Sequence, residues 1–287
     1  MVKQIETLVD DIYELLGGNF FIGELLDDLS EAFAQRMKQM VGNRVIKDNN
    51  YTPGLRMSNL GKPCERQVYL GIHKPEEMEP LDPWTRMKFL YGDCIEELLL
   101  FLCEAAGHTV TGMQDKMELE GVPGHRDAVI DGVLVDVKSA STFSFKKFKD
   151  GGLVNDDPFG YIGQIQSYLE ASQDDPLVTD KSRCAFLVMD KTLGHICLDI
   201  HAKVPFDVRE ITRQKVATME GDVLPSRAFA PVEDGKSGNM KLPMQCSYCN
   251  AKHACYGPEL RTFLYSNGPR YLTKVVREPA EHVIEVK

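Results

Sequence analysis

Apolar residues recur at three- and four-residue spacings over positions 3–16 and 22–40, with Gly17-Gly18 between the two stretches. That period predicts two amphipathic helices near the N-terminus. Positions 41–53 are polar, contain Asn49-Asn50 and Pro53, and read as a linker. The helical period returns over 58–71 and again over 85–106, where Gly107 supplies a stop. Beyond Gly107 the pattern changes. Short runs rich in β-branched residues occupy 109–111, 128–137, 185–190 and 195–201, with helical patterns between and after them at 159–172 and 206–220. Strands interleaved with helices predict an α/β (α+β) core, a central mixed sheet flanked by helices. Positions 244–258 follow neither period and read as a loop. The organisation expected is a helical extension over 1–53, a main domain over 54–258 and a tail over 259–287.

Composition narrows the class. With 43% hydrophobic and 26% charged residues in 287, a folded globular chain is expected rather than a disordered or fibrous one. No apolar run approaches the roughly 18 residues of a membrane span. The acidic start lacks the basic-then-apolar order of a secretory signal. A cytoplasmic protein without a membrane partner is therefore expected, and its eight cysteines suit metal binding or catalysis better than disulfides. The net charge of −10 argues against an all-over basic surface, but a local basic groove suffices for nucleic acid. Two candidates exist: Lys146, Lys147 and Lys149, and positions 239–287, where seven Lys+Arg face four Glu.

Candidate chemistry concentrates in positions 124–138, GHRDAVIDGVLVDVK. Asp131-Gly132 is a two-residue hairpin turn signal, because type I′ geometry needs positive φ at both positions. Pairing Ile130 with Val133 then sets Asp127 opposite Asp136, with Cβ atoms about 5 Å apart on one face. Val129, Leu134 and Lys138 share that face. Arg126, Ala128, Ile130, Val133, Val135 and Val137 share the other, which is expected to be buried because only Arg126 is polar. Neighbouring carboxylates repel, and a divalent cation bound by both removes the conflict. Hard oxygen ligands favour Mg²⁺ or Mn²⁺ over zinc. A solvent-exposed hairpin with a surface Asp136–Lys138 ion pair is the plainer alternative.

Asp127 followed by Asp136-Val137-Lys138 resembles the signature of the PD-(D/E)XK nuclease superfamily, with Arg126-Asp127 in place of its Pro-Asp. Three further features resemble its RecB-like branch, in the family's order. Gly92 is followed four positions later by Glu96, where that branch places a metal-ligating His or Glu, and Glu97 is the adjacent alternative. Gln164 and Tyr168 match a Gln-x-x-x-Tyr motif on one helix face, with Gln166 the alternative in a shifted register. Cys246-x2-Cys249-x5-Cys255, with Cys64 far upstream in Cys64-Glu-Arg66-x-x-Tyr69, is similar to the one-plus-three cysteines of iron–sulfur nucleases. These include the CRISPR-associated RecB-like exonucleases and the AddB nuclease domain. Zinc on the same thiolates, or on three with His253, is the alternative to a [4Fe–4S] cluster. The other four cysteines, Cys94, Cys103, Cys184 and Cys197, read as core residues.

The resemblance, covering positions 58–258, implies a restriction-endonuclease-like core and metal-dependent hydrolysis of DNA, as an exonuclease acting on free or single-stranded ends. Glu96, Asp127, Asp136 and the Val137 carbonyl are the implied Mg²⁺ or Mn²⁺ ligands. Lys138 would position a water, and Gln164 and Tyr168 the strand. Lys146, Lys147, Lys149 and Arg66 are the implied DNA contacts, and Phe159 and Tyr161 are candidates for stacking on bases or for core packing. The implied cluster is a structural staple. Homo-oligomers, or work beside a helicase or recombinase, fit such a stand-alone enzyme, as do phage DNA processing and recombination in a host cytoplasm. Two readings from other classes stay open: a DNA-binding module that does not cut, and a zinc-stapled scaffold protein.

Overall fold

The computed structural model describes residues 3–18, 23–45 and 53–286. In chain order the elements are α1 Leu8–Leu16, α2 Gly23–Val45, α3 Glu65–His73, α4 Pro83–Ala105, β1 Val110–Thr111, β2 Lys116–Leu119 and β3 Val122–His125. β4 Ala128–Ile130, β5 Val133–Ala140, α5 Thr142–Lys149, α6 Tyr161–Ala171, β6 Arg183–Asp190, β7 Ile196–Ala202 and α7 Val208–Glu220 follow. The chain ends with β8 Val232–Glu233, β9 Met240–Lys241, α8 Met244–Ser247, α9 Lys252–Tyr256, β10 Arg261–Tyr265, β11 Gly268–Lys274 and β12 Ile284–Val286. Most of the expected linker, 46–52, lies outside the described residues, as does the Ile22 start of the second expected helix; α2 runs on through 41–45.

Two units divide these elements. The first takes residues 1–51, 56–61 and 82–213, and the second takes 52–55, 62–81 and 214–287. These units cut across the three-part division expected from the sequence. The N-terminal helix is no appendage: Ile5, Leu8 and Ile12 are buried in one core with Ile95, Leu99, Ala128, Val135 and Leu187. Polar contacts fasten it further. Buried His108 reaches Asp131 at 2.6 Å and Asp11 of α1 at 3.1 Å, and Tyr13 Oη accepts from Ile196 N at 2.7 Å.

The first unit is a mixed α+β fold. Its five-stranded sheet has the order β1-β4-β5-β6-β7. Only β5 and β6 run parallel, and α5 and α6 lie in the connection between them. Helices α1 and α4 pack on the sheet through the apolar core just named. On the other face α5 packs through Phe148, whose ring meets Phe186 of β6 edge-on at 5.4 Å. That second face is buried too: Val129 and Leu134 are fully covered, so the hairpin is not the half-solvated one its alternation suggested.

Helix α6 begins where Asp157 accepts from three backbone N–H groups, those of Gly160, Tyr161 and Ile162. A carboxylate there satisfies donors that the helix itself cannot and complements its dipole. The start of α6 also sits against Gly61. A Cβ on Gly61 would lie 1.8 Å from Gly160 O and 2.5 Å from Gln164 N, so any side chain must push the helix away. Gly61→Ala is expected to lower stability by about 1–3 kcal/mol through overpacking, read as a lower urea midpoint. An unchanged midpoint would show that α6 is not held at this contact.

The second unit holds an antiparallel sheet in the order β12-β10-β11-β9-β8, together with α3, α8 and α9. Residues 259–287, expected as a tail, supply three of its five strands. The stretch 244–258, expected as a loop, forms α8, α9 and a 3₁₀ turn. No described helix is long and apolar enough to cross a membrane.

Candidate functional site

The turn behaves as its two residues demand. Asp131 and Gly132 have φ of +50° and +81°, and the strands pair Ile130 with Val133, Val129 with Leu134 and Ala128 with Val135. Asp127 stands one residue before β4. Its Oδ2 accepts from Val137 N at 2.7 Å, which sets it beside Asp136 of β5. Asp136 is 6% exposed, and its Oδ1 accepts from Gln164 Nε2 at 3.3 Å. Its Oδ2 has Lys138 Nζ at 2.5 Å as an ion-pair contact but no aligned hydrogen bond. Lys138 also lies 5.1 Å from the centre of the Tyr161 ring.

Helix α4 gives its two glutamates different surroundings. Glu96 feels the charges of Asp127 and Asp136 and accepts from Gln114 Nε2 at 2.6 Å, whereas Glu97 is paired with Arg36 at 2.9 Å. Helix α6 likewise separates its two candidate glutamines. Gln164 faces Asp136, while Gln166 is buried, donating to Ala202 O and accepting from Val204 N. Tyr168 is buried on the same helix, with the His125 N–H hydrogen-bonded to its hydroxyl. Glu96, Asp127, Asp136, Lys138, Gln164 and Tyr168 are thus gathered in one unit, from a helix, a hairpin and a second helix.

Burial dominates the electrostatics. It pushes the Glu96 carboxyl up to about 9, helped by the charge of Asp127, and Asp127 up to about 7, helped by Asp136. Burial draws the Lys138 ammonium down, but Asp136 and Asp127 outweigh it and hold it above its ordinary range. Burial and the same two acids push Tyr168 up to about 12. Crowded, water-poor carboxyls that resist ionisation are the donor set a hard divalent cation suits, so these residues fit Mg²⁺ or Mn²⁺. As they stand, each acid has its own partner, and among the described residues no three His, Cys, Asp or Glu side chains form a ready ligand cage.

The two raised values set a pH dependence. Between the ordinary carboxyl range near 4 and the folded values, the unfolded chain has released protons that the folded one retains, so stability falls as pH rises from about 4 to about 9. Glu96→Gln is expected to flatten that slope. Urea midpoints from pH 5 to 9 check it, and an equal slope in both proteins would contradict the burial of Glu96 beside Asp127.

One residue at the site has no counterpart among those expected from the sequence. Gln114 holds Glu96 through its side chain and donates its backbone N–H to Asp127 O at 3.1 Å, from a left-handed backbone at φ +55°. Nothing in its neighbourhood marks it. Tyr161 sits in an aromatic group with Phe148, Phe159 and Phe186 beside Lys138 rather than presenting itself to solvent.

The expected basic contacts fare unevenly. Lys146 and Lys149 are exposed on α5, whereas Lys147 pairs with Asp156. The C-terminal excess is largely neutralised at close range. Arg261 pairs with Glu278 and Glu285, Arg270 and Lys241 with Asp234, and Lys252 with Glu79. Arg66 is not offered to a phosphate: its Nε donates to Cys255 Sγ at 3.2 Å and its Nη1 to Pro225 O at 2.9 Å.

That contact belongs to the second unit, where Cys64, at the start of α3, lines one pocket with Cys246, Cys249 and Cys255. All four are free thiols. Burial, with a smaller contribution from the neighbouring thiols, pushes Cys246 and Cys249 up to about 11. Ala251 N donates to Cys249 Sγ at 3.4 Å. Four soft donors, two of them met by N–H groups, are the donor type of a thiolate-bound metal group, but among the described residues no three of them stand as a ready ligand set. His253, the alternative ligand, is 46% exposed on its side chain and faces Glu79 at 3.3 Å. Cys103, Cys184 and Cys197 are buried as expected, and Cys94 is half-buried.

No family model and no curated protein matches this chain. Among solved structures it is similar to the crystal structure of SSO0001, at 13% identity and a TM-score of 0.41, over 82% of this chain and 98% of that one. A likeness that loose says nothing of site or activity.

Proposed function

We propose that this chain is a Mg²⁺- or Mn²⁺-dependent deoxyribonuclease with a RecB-like PD-(D/E)XK site, acting as an exonuclease on DNA ends. The observation that carries the reading is the gathering of Glu96, Asp127, Asp136 and Lys138 with Gln164 and Tyr168, in the family's order along the chain. Glu96, Asp127 and Asp136, with the Val137 carbonyl, would hold the cation. When bound, it would lower the pKa of a water and stabilise negative charge on the scissile phosphate. Lys138, kept protonated by two carboxylates, would orient the attacking water and offset charge on the phosphate. Gln164 bridges to Asp136 and would fix the strand against the site, while Tyr168 packs behind it. Lys146 and Lys149 would meet the phosphate backbone.

The four cysteines of the second unit are proposed to hold a structural [4Fe–4S] cluster, which ties Cys64 to a segment about 190 residues downstream. Anoxic purification with metal and sulfide analysis tests this part. A brown protein containing iron and labile sulfide is expected; a colourless one with stoichiometric zinc would replace cluster by zinc. Digestion of end-labelled DNA, with Mg²⁺ or Mn²⁺ against EDTA, tests the activity.

A further inference from the structure

The buried stripe of α4 does not stop where the core stops. Ile95 and Leu99 are at most 3% exposed, facing the sheet. Stepping back along the helix at the same spacings reaches Tyr91, Lys88 and Trp84. Here burial ends: Tyr91 is 46% exposed, Lys88 is exposed and Trp84 is 77% exposed. The first turns of α4 therefore present an aromatic, a lysine and an aromatic in one line.

That line adjoins the carboxylate site. At Gly92 the helix passes close to β5, where an added Cβ would lie 3.4 Å from Ser139 Oγ, the residue after Lys138. Tyr91 Oη donates to Lys191 O at 3.4 Å, and Lys191 N donates to Ala140 O at 3.0 Å. Just past that end of β5, α5 opens with Phe143, 73% exposed, and carries exposed Lys146 and Lys149. Trp84 and Glu96 are separated by about 18 Å of helix axis.

Exposed aromatics alone suit any apolar partner, and the interleaved lysines narrow the choice. A second copy of this chain would set those cations against their own kind, and an apolar protein surface would strip them of water without a counter-charge. A single nucleic-acid strand meets both demands, stacking bases on the rings and phosphates on the lysines. A duplex keeps its bases paired and leaves the rings without stacking partners. We propose that Trp84, Lys88 and Tyr91 of α4, with Phe143 of α5, form a track for single-stranded nucleic acid leading to the carboxylate site. Its destination rests on the nuclease reading, whereas the binding it predicts does not.

Trp84 is the only tryptophan of the chain, so its fluorescence reports on the track directly. In EDTA, a twenty-residue oligothymidylate is expected to quench it saturably, and a duplex of equal length far less. Trp84→Ala and Phe143→Ala should each weaken binding of a labelled oligothymidylate about tenfold by anisotropy, with circular dichroism unchanged. Both side chains are exposed, so both variants are expected to fold; should one fail to fold, the other decides. Absent quenching, equal quenching by duplex, or wild-type affinity in the folded variants would overturn the track. Cleavage in Mn²⁺ separates the two claims. If the wild type cuts DNA and the variants bind single strands as it does, the track fails and the nuclease reading stands. If the wild type binds through Trp84 but does not cut, the track stands and the nuclease reading fails.

Discussion

Asp136→Asn and Lys138→Ala are each expected to reduce DNA hydrolysis by about 10³-fold or more, and to do so by different routes. Asp136 is nearly covered, touches Lys138 and Gln164, and raises the pKa of Asp127. Its neutral amide removes one of the three negative charges that would hold the cation with Glu96 and Asp127. Asp136→Asn should therefore lose both the reaction and the Mn²⁺-dependent rise in melting temperature expected of the wild type. Lys138 is no ligand, and removing it leaves three carboxyls with less positive charge near them. Lys138→Ala should keep the Mn²⁺-dependent rise in melting temperature while losing hydrolysis. Both variants losing the cation response would make Lys138 a structural counter-ion instead.

Cys255→Ser is expected to strip the second unit of the metal group proposed for it and to leave that unit unable to hold its fold. Cys255 lines the pocket with three other thiols, and Arg66 donates to its sulfur. A thiolate-held group binds folded chain far better than unfolded chain, so its loss subtracts directly from stability, by about 10 kcal/mol or more in zinc-held domains. Poor solubility and near-zero iron or zinc per chain are the expected readouts. Cys94→Ser is the control: Cys94 is half-buried in α4 and outside the pocket, and metal content should not change. Full metal content in Cys255→Ser would remove Cys255 from the ligand set.

What was legible in the sequence was what local geometry decides. An Asp-Gly pair admits few turns, so the β4–β5 register followed from two residues, and the position of Asp127 and Asp136 followed from the register. Helix spacing puts Gln164 and Tyr168 on one face, and the resemblance to the family's Gln-x-x-x-Tyr motif singled them out. Features that depend on distant partners were not legible. The C-terminal excess of basic residues looked like a nucleic-acid patch, yet Asp234, Glu278 and Glu285 neutralise much of it across a sheet whose short, half-exposed strands carry weak patterns. The burial of the acid face was hidden for a related reason. Val129 and Leu134 fit a half-solvated strand as well as a covered one, and only the packing of the folded unit over them decides it. Gln114 owes its place to a left-handed backbone that no sequence signal announces.

The central claim is that Glu96, Asp127 and Asp136 hold a divalent cation that hydrolyses DNA. Its most direct test is the release of nucleotides from end-labelled linear DNA by wild-type protein and Asp136→Asn, purified side by side, in Mn²⁺ and in EDTA. The account predicts release by the wild type in Mn²⁺ alone. Equal release by both proteins in Mn²⁺, or none by a folded, metal-replete wild type, would contradict it.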